Sequence, residues 1–156
     1  MKNNLEFLRY IFSRLQQSGI GCIVFGGWAK ELSGTITPRP HKDVDLLYIS
    51  NDFEKVDAFV KNSPDVKEIS AKHFPHKRAF LCKGVMLELL LVIQKDKKFV
   101  TNFWDEYELE WPPITTTRIA SPDKQELLIC GPLVVDYYHA HEQEIAEVRD
   151  RHIPPH

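Results

Sequence analysis

Gly26-Gly27-Trp28-Ala29 and, a short helix and a loop further on, Arg39-Pro40-His41-Lys42-Asp43-Val44-Asp45-Leu46 form the stretch that decides how this chain is read. Asp43 to Ile49 has the pattern of a β-strand. Side chains alternate across a strand, so Asp43 and Asp45 share one side, while Val44, Leu46 and Tyr48 take the other. Two carboxylates held this close repel each other, and one pKa rises unless a cation lies between them. A hard divalent cation such as Mg²⁺ prefers oxygen ligands of this kind. Taken alone, Asp-Val-Asp reads better as two solvated acids on an edge strand, because acid-X-acid is common.

Glu88 is the second piece. It interrupts the apolar run Val85-Met86-Leu87-Glu88-Leu89-Leu90-Leu91-Val92. A strand this apolar is normally covered on both faces. A carboxylate inside it is costly without a cation or hydrogen-bond partner. Water at an edge or a salt bridge to Arg78 would also satisfy it. If the Glu88 strand lies beside the Asp43 strand, three carboxylates converge and can hold one or two Mg²⁺. Two-metal sites stabilise the attacking and leaving oxygens of an in-line displacement at phosphorus. Gly26-Gly27 suits the same chemistry, because small residues after a strand let backbone N–H groups approach a phosphate. On its own Gly-Gly is usually just a turn.

The elements around these residues follow from periodicity and breakers. Leu5, Leu8, Phe12 and Leu15 recur at helical spacing up to Gly19. Cys22 to Phe25 reads as a buried strand, Trp28 to Leu32 as a short helix, and Thr35 to Pro40 as a loop. Asn51 or Asp52 caps a helix whose stripe is Phe53, Val56, Phe59 and Val60. Val66 to Ser70 and Arg78 to Cys82 read as strands. Lys83-Gly84 turns the second of them into Val85 to Ile93, which makes a hairpin and a mixed sheet. Lys95 to Lys98 is a charged turn, after which Phe99, Phe103 and Trp104 cover a sheet edge or line a cleft. Trp111-Pro112-Pro113 is a break, and Thr115 to Ile119 is a short strand. Ser121-Pro122 starts a helix that Gly131-Pro132 interrupts, and a second helix runs from Leu133 to about Arg149.

The chain has 156 residues, with 43% hydrophobic and 27% charged, which fits one globular domain with one core. The expected organisation is a sheet-bearing part over 1–100 and a mainly helical part over 101–156. Twenty basic against 22 acidic residues leave a net charge of −2, so no basic excess points to nucleic acid. Cys22, Cys82 and Cys130 lack metal-ligand spacing and read as buried thiols. The start, MKNNLEFLRY, has no apolar core of a signal peptide, and no apolar run is long enough to span a bilayer. A cytoplasmic location and no membrane partner are expected.

Gly-Gly-Trp-Ala, a short helix, then Arg-X-His-X-Asp-X-Asp resembles the signature of the antibiotic nucleotidyltransferases, the aminoglycoside 2''-adenylyltransferases and small lincosamide nucleotidyltransferases. These belong to the polymerase-β-like nucleotidyltransferase superfamily. The motif is matched by Gly26, Gly27, Trp28, Ala29, Arg39, His41, Asp43 and Asp45. The resemblance is dense over residues 20 to 50 and reaches the Glu88 strand, where the family places its third acid. It implies an α/β (α+β) fold, a mixed sheet flanked by helices with a C-terminal helical part.

It also implies nucleotidyl transfer: an acceptor hydroxyl attacks the α-phosphorus of a nucleoside triphosphate and pyrophosphate leaves. Asp43 and Asp45 would bind Mg²⁺, two ions in all, with ATP the foremost NTP. Glu88 would complete the metal site or act as general base. Gly26 and Gly27 would cradle the triphosphate. Arg39 is open between a phosphate contact and a plain loop cation. His41 matches the motif as a nucleotide-side residue, but a hydrogen bond that fixes the loop is favoured. Lys42 reads as solvated and Trp28 as packing. The family carries Asp at the third acid position, and Glu88 moves its carboxylate by about one bond length, a displacement that matters for a base.

Tyr137 and Tyr138 read as mixed core and cleft wall. An acidic wall of Glu142, Glu144 and Glu147 would suit a polycationic aminoglycoside, but a solvated helix face is the better reading. The resemblance implies a small hydroxylated acceptor, an aminoglycoside- or lincosamide-like antibiotic among the candidates. The alternatives are a non-catalytic or antitoxin-type protein of the same fold acting through a protein partner, and a homodimer that completes the acceptor cleft.

Overall fold

A computed structural model describes residues 2–120 and 126–153. Helix α1 (Leu5–Gln17) opens the chain. Asn4 caps it by accepting from Phe7 N at 2.9 Å, and Phe7, Leu8, Ile11 and Leu15 are fully buried along one stripe. Strand β1 (Cys22–Phe25) leads directly into α2 (Gly26–Leu32), two residues earlier than the helix read from Trp28. Strand β2 (Asp43–Ile49) has the expected bounds. Helix α3 (Glu54–Asn62) starts where Asp52 Oδ1 accepts from Glu54 N at 2.9 Å.

Strand β3 (Val66–Glu68) is shorter than expected, because Ser70–Lys72 forms a 3₁₀ turn. The hairpin of β4 (Lys77–Cys82) and β5 (Val85–Lys95) turns through Lys83-Gly84, both at positive φ. Strands β6 (Lys98–Phe103), β7 (Tyr107–Glu110), β8 (Thr116–Ala120) and β9 (Glu126–Cys130) follow. Helices α4 (Pro132–Ala140) and α5 (Glu142–His152) end the described chain.

The sheet is mixed, in the order β3-β4-β5-β2-β1-β9-β8, with β6 paired to the end of β5 and β7 to β6. Strand β2 lies at its centre, parallel to β5 and antiparallel to β1. This placement excludes the edge-strand alternative for Asp43 and Asp45. Val44, Leu46 and Tyr48 are buried on the opposite side of β2 from the two acids, as the alternation requires.

The region after residue 100 departs from expectation. It is not mainly helical: β6 to β9 fill it up to Cys130, and helix among the described residues there is confined to Pro132–His152. Ser121-Pro122, read as a helix start, lies outside the described residues. Glu126 to Cys130 is a strand and not the continuation of a helix. Its short apolar run fits either element, and pairing decides it: β9 lies antiparallel to β8 and parallel to β1, which buries Leu127, Ile129 and Cys130. The last helix is two helices. His141 donates from Nδ1 to the Tyr137 carbonyl at 2.8 Å while its backbone N–H turns to Tyr138 O at 3.0 Å, so the ladder breaks there. Cys22, Cys82 and Cys130 are buried free thiols, as expected. Among the described residues no helix is long and apolar enough to cross a membrane.

Candidate active site

The parallel register sets Asp45 directly beside Glu88 and Asp43 beside Met86. Asp43 and Asp45 share a face of β2, so the three carboxylates meet on one patch of the central sheet. Among the described residues neither aspartate side chain has a hydrogen-bond or ion-pair partner. Burial, reinforced by the charges of Glu88 and Asp43, pushes the Asp45 carboxyl up to about 7. Asp43 is raised as well, by burial first and then by Glu88.

Glu88 behaves differently. It faces neither open water nor Arg78; Lys72 Nζ reaches its Oε1 at 2.5 Å and Lys77 Nζ its Oε2 at 3.1 Å. Burial would raise its pKa, but Lys77 and Lys72 outweigh burial and hold it below the usual carboxylate value. Arg78 is one residue out of phase with Lys77. It pairs with Asp57 at 2.8 Å and lies over the Phe53 ring at 4.5 Å. Among the described residues no three His, Cys, Asp or Glu side chains are grouped as a ready metal site. The donor set of Asp43 and Asp45 still fits a hard divalent cation: two carboxylates on one face with no ion-pair partner, one of them raised by burial and by its acidic neighbours.

Gly26 is dictated by this patch. Its φ is +61°, and a Cβ there would lie 2.4 Å from Asp45 Oδ2. The Phe25↔Asp45 pairing brings the end of β1 against the acid, and only a residue without a side chain can follow. A Cβ on Gly27 would lie 2.9 Å from His41 Nδ1 and 3.6 Å from an Arg39 nitrogen. Gly27 thus leaves room for the Arg39–His41 loop to fold over α2.

The loop is tied down on its inner side. His41 Nε2 meets Glu31 Oε1 at 2.9 Å, and Arg39 N donates to the same oxygen at 3.0 Å. The His41 ring packs on Trp28 at 4.3 Å. Asn3 accepts from Trp28 Nε1 and donates to the carbonyls of His41 and Asp43 at 3.0 and 3.1 Å. The His41 side chain is only 4% exposed and does not line the cleft, whereas Arg39 does. Lys42 is exposed.

The patch forms the floor of a cleft of about 320 Å³. Gly26, Gly27, Lys30 and Arg39 form one wall, His76, Lys77, Phe103 and Trp104 another, and Tyr138, His139, Glu142 and Arg149 of the last two helices the third. Asp43 lies on the same strand face but not among the lining residues. Tyr138 stands edge-on to Phe25 at 5.2 Å and stacks on Trp111 at 5.9 Å, which anchors α4 over the sheet.

Sequence reasoning missed Lys72, Lys77 and His76. His76 is 3% exposed, its ring lies 4.4 Å from that of Trp104, and its Nδ1 accepts from Trp104 N at 3.1 Å. Burial and Lys77 lower its pKa to about 3, so it is a neutral wall residue at ordinary pH. Lys77 was within reach of the alternation rule: it sits two residues before Ala79, which pairs with Glu88. Lys72 comes from the 3₁₀ turn, and no sequence signal aims it at Glu88.

No protein-family model and no curated protein matches the chain. Solved structures do. The lincosamide antibiotic adenylyltransferase LnuA, with lincomycin bound, aligns with a TM-score of 0.71 at 12% identity, covering 96% of this chain and 99% of that one. ANT(2")-Ia in complex with adenylyl-2"-tobramycin aligns with a TM-score of 0.62 at 13% identity, covering 88% and 76%. A Thermotoga maritima protein described as a nucleotidyltransferase aligns with a TM-score of 0.59 at 14% identity, covering 93% and 88%. A likeness of this extent at such low identity is a likeness of backbone, and this chain has the polymerase-β-like nucleotidyltransferase fold.

Proposed function

We propose that the protein is a nucleotidyltransferase of the adenylyltransferase kind, moving a nucleoside monophosphate from an NTP to a hydroxyl of a small acceptor. The observation that carries this is the unneutralised Asp43–Asp45 pair at the centre of the sheet, on the fold of antibiotic adenylyltransferases. Asp43 and Asp45 would hold Mg²⁺, which when bound supplies charge neutralisation at the phosphates. Gly26 and Gly27 leave backbone open toward the triphosphate, and Lys30, Arg39 and Lys77 offer it positive charge. As the acceptor oxygen bonds to the α-phosphorus, the bond from that phosphorus to the bridging oxygen breaks and pyrophosphate leaves. The hydroxyl proton passes to water, while Glu88, with each oxygen paired to a lysine, holds Lys77 in the cleft. His41 fixes the loop that presents Arg39 and is itself remote from the nucleotide.

The charge of the cleft favours a lincosamide-like acceptor over a polycationic one. Lys30, Arg39, Lys77 and Arg149 line it against Asp45, Glu88 and Glu142. Glu144 and Glu147, the rest of the acidic wall considered from the sequence, point to solvent. The test is pyrophosphate release from each NTP with Mg²⁺ over a panel of lincosamides and aminoglycosides. Release that depends on a lincosamide and falls at least about 10³-fold in Asp45→Asn is expected. Metal-dependent NTP binding with no release for any acceptor would support a non-catalytic or protein-directed role instead.

A further inference from the structure

The ion pairs at Glu88 decide how many cations the site can take. Lys72 and Lys77 arrive from separate elements and each takes one oxygen of the carboxylate, at 2.5 and 3.1 Å. Both are held by the backbone. Ile69 N donates to Ala79 O at 2.9 Å and Lys72 N to Ile69 O at 3.0 Å, which pins the 3₁₀ turn to β4. The β4–β5 register puts Ala79 opposite Glu88, and its bare methyl leaves space for Lys77, on the same face, to reach across diagonally. The Glu88 side chain is 16% exposed and the lysines are partly sheltered, at 39% and 27%.

With Asp43, Asp45 and Glu88 all ionised, as cation binding requires, three negative charges face the two positive charges of Lys72 and Lys77. One divalent cation takes the patch from −1 to +1. A second would take it to +3, with two like-charged ammoniums within contact of the third acid, Glu88. Without the lysines, the same three acids would suit two ions.

We infer that the site takes a single divalent cation, on Asp43 and Asp45, and that Lys72 and Lys77 hold Glu88 away from it. Lys77 lines the cleft beside Asp45 and brings there a positive charge that would oppose a second ion. Lys72 is a positioning residue that acts through Glu88. The inference rests on the acid-pair reading above and replaces the two-ion expectation drawn from the sequence.

The test uses Mn²⁺ alone with the full chain, free Mn²⁺ being read by electron paramagnetic resonance. One ion per chain is expected, lost in Asp45→Asn and retained, at reduced affinity, in Glu88→Gln. The double variant Lys72→Met/Lys77→Met frees Glu88 and should tighten Mn²⁺ at least tenfold or admit a second ion. Lys72→Gln/Lys77→Gln gives the same readout should the methionine variant fold poorly. Two ions on the wild-type chain, or a loss in Glu88→Gln equal to that in Asp45→Asn, would overturn the inference while leaving the acid pair in place. Mn²⁺ binding indifferent to Asp45→Asn, or none at all, would overturn the acid-pair reading and the inference with it.

Discussion

Asp45 is held where its charge is unwelcome. Its folded pKa, about 7, lies above the ordinary 3.8, so the fold binds that proton more tightly than the unfolded chain does. Stability from this group is therefore present at low pH and lost as pH rises from about 4 through about 7. Asp45→Asn should stabilise the metal-free protein at pH 8, by on the order of 2–4 kcal/mol, with the gap closing near pH 4. Thermal melts of both proteins across that range check it. Metal competes with the same proton, so Mn²⁺ affinity should fall about tenfold per pH unit below 7, measured by titration at pH 5.5 and 8. Gly26→Ala should displace the Asp45 carboxylate, costing about 1–3 kcal/mol in a melt and on the order of 10²-fold in kcat/KM. At this scale much was legible: strand alternation is enough to put Asp43 and Asp45 on one face, and Glu88 stands out as the one acid in an apolar run. Lys72 was not, because it reaches Glu88 from a 3₁₀ turn whose placement no local pattern carries.

Between α2 and β2, one loop depends on a few side chains. Glu31 receives Arg39 N and the His41 ring, and its pKa is lowered by those bonds in spite of the burial that opposes them. His41→Ala removes the ring between Trp28 and Glu31. It should cost about 1–2 kcal/mol and raise the KM for NTP several-fold through a loosened Arg39, with kcat little changed. Steady-state kinetics beside a melt separate this from direct phosphate contact, which would lower kcat as well. Among the elements, β2 and the β4–β5 hairpin were readable because alternation and a Lys-Gly turn are local signals. Strand β9 was not: Glu126-Leu-Leu-Ile-Cys130 suits helix or strand, and its parallel pairing with the distant β1 made the choice. The break at His141 was equally hidden, since it arises when a side chain captures a carbonyl of its own helix.

Across the whole molecule, the central sheet supplies the acids and α4–α5 closes the cleft above them. Phe25, Trp111 and Tyr138 join the two through packed rings. The motif pointed to the fold because its glycines and acids are bound by one geometric requirement, the close approach of Gly26 to Asp45. The outer walls of the cleft were less legible, since their residues come from the start of β4, the end of β6 and the last two helices and share no spacing. The central claim is that Asp43 and Asp45 carry the metal of a bound nucleotide. Its most direct test is a crystal structure with Mn²⁺ and a non-hydrolysable ATP analogue, measured for anomalous scattering. The account predicts one Mn²⁺ peak within about 2.3 Å of a carboxylate oxygen from each of Asp43 and Asp45, with the phosphates beside Gly26 and Lys77. A peak held by other residues, or nucleotide bound with none on this acid pair, would contradict it.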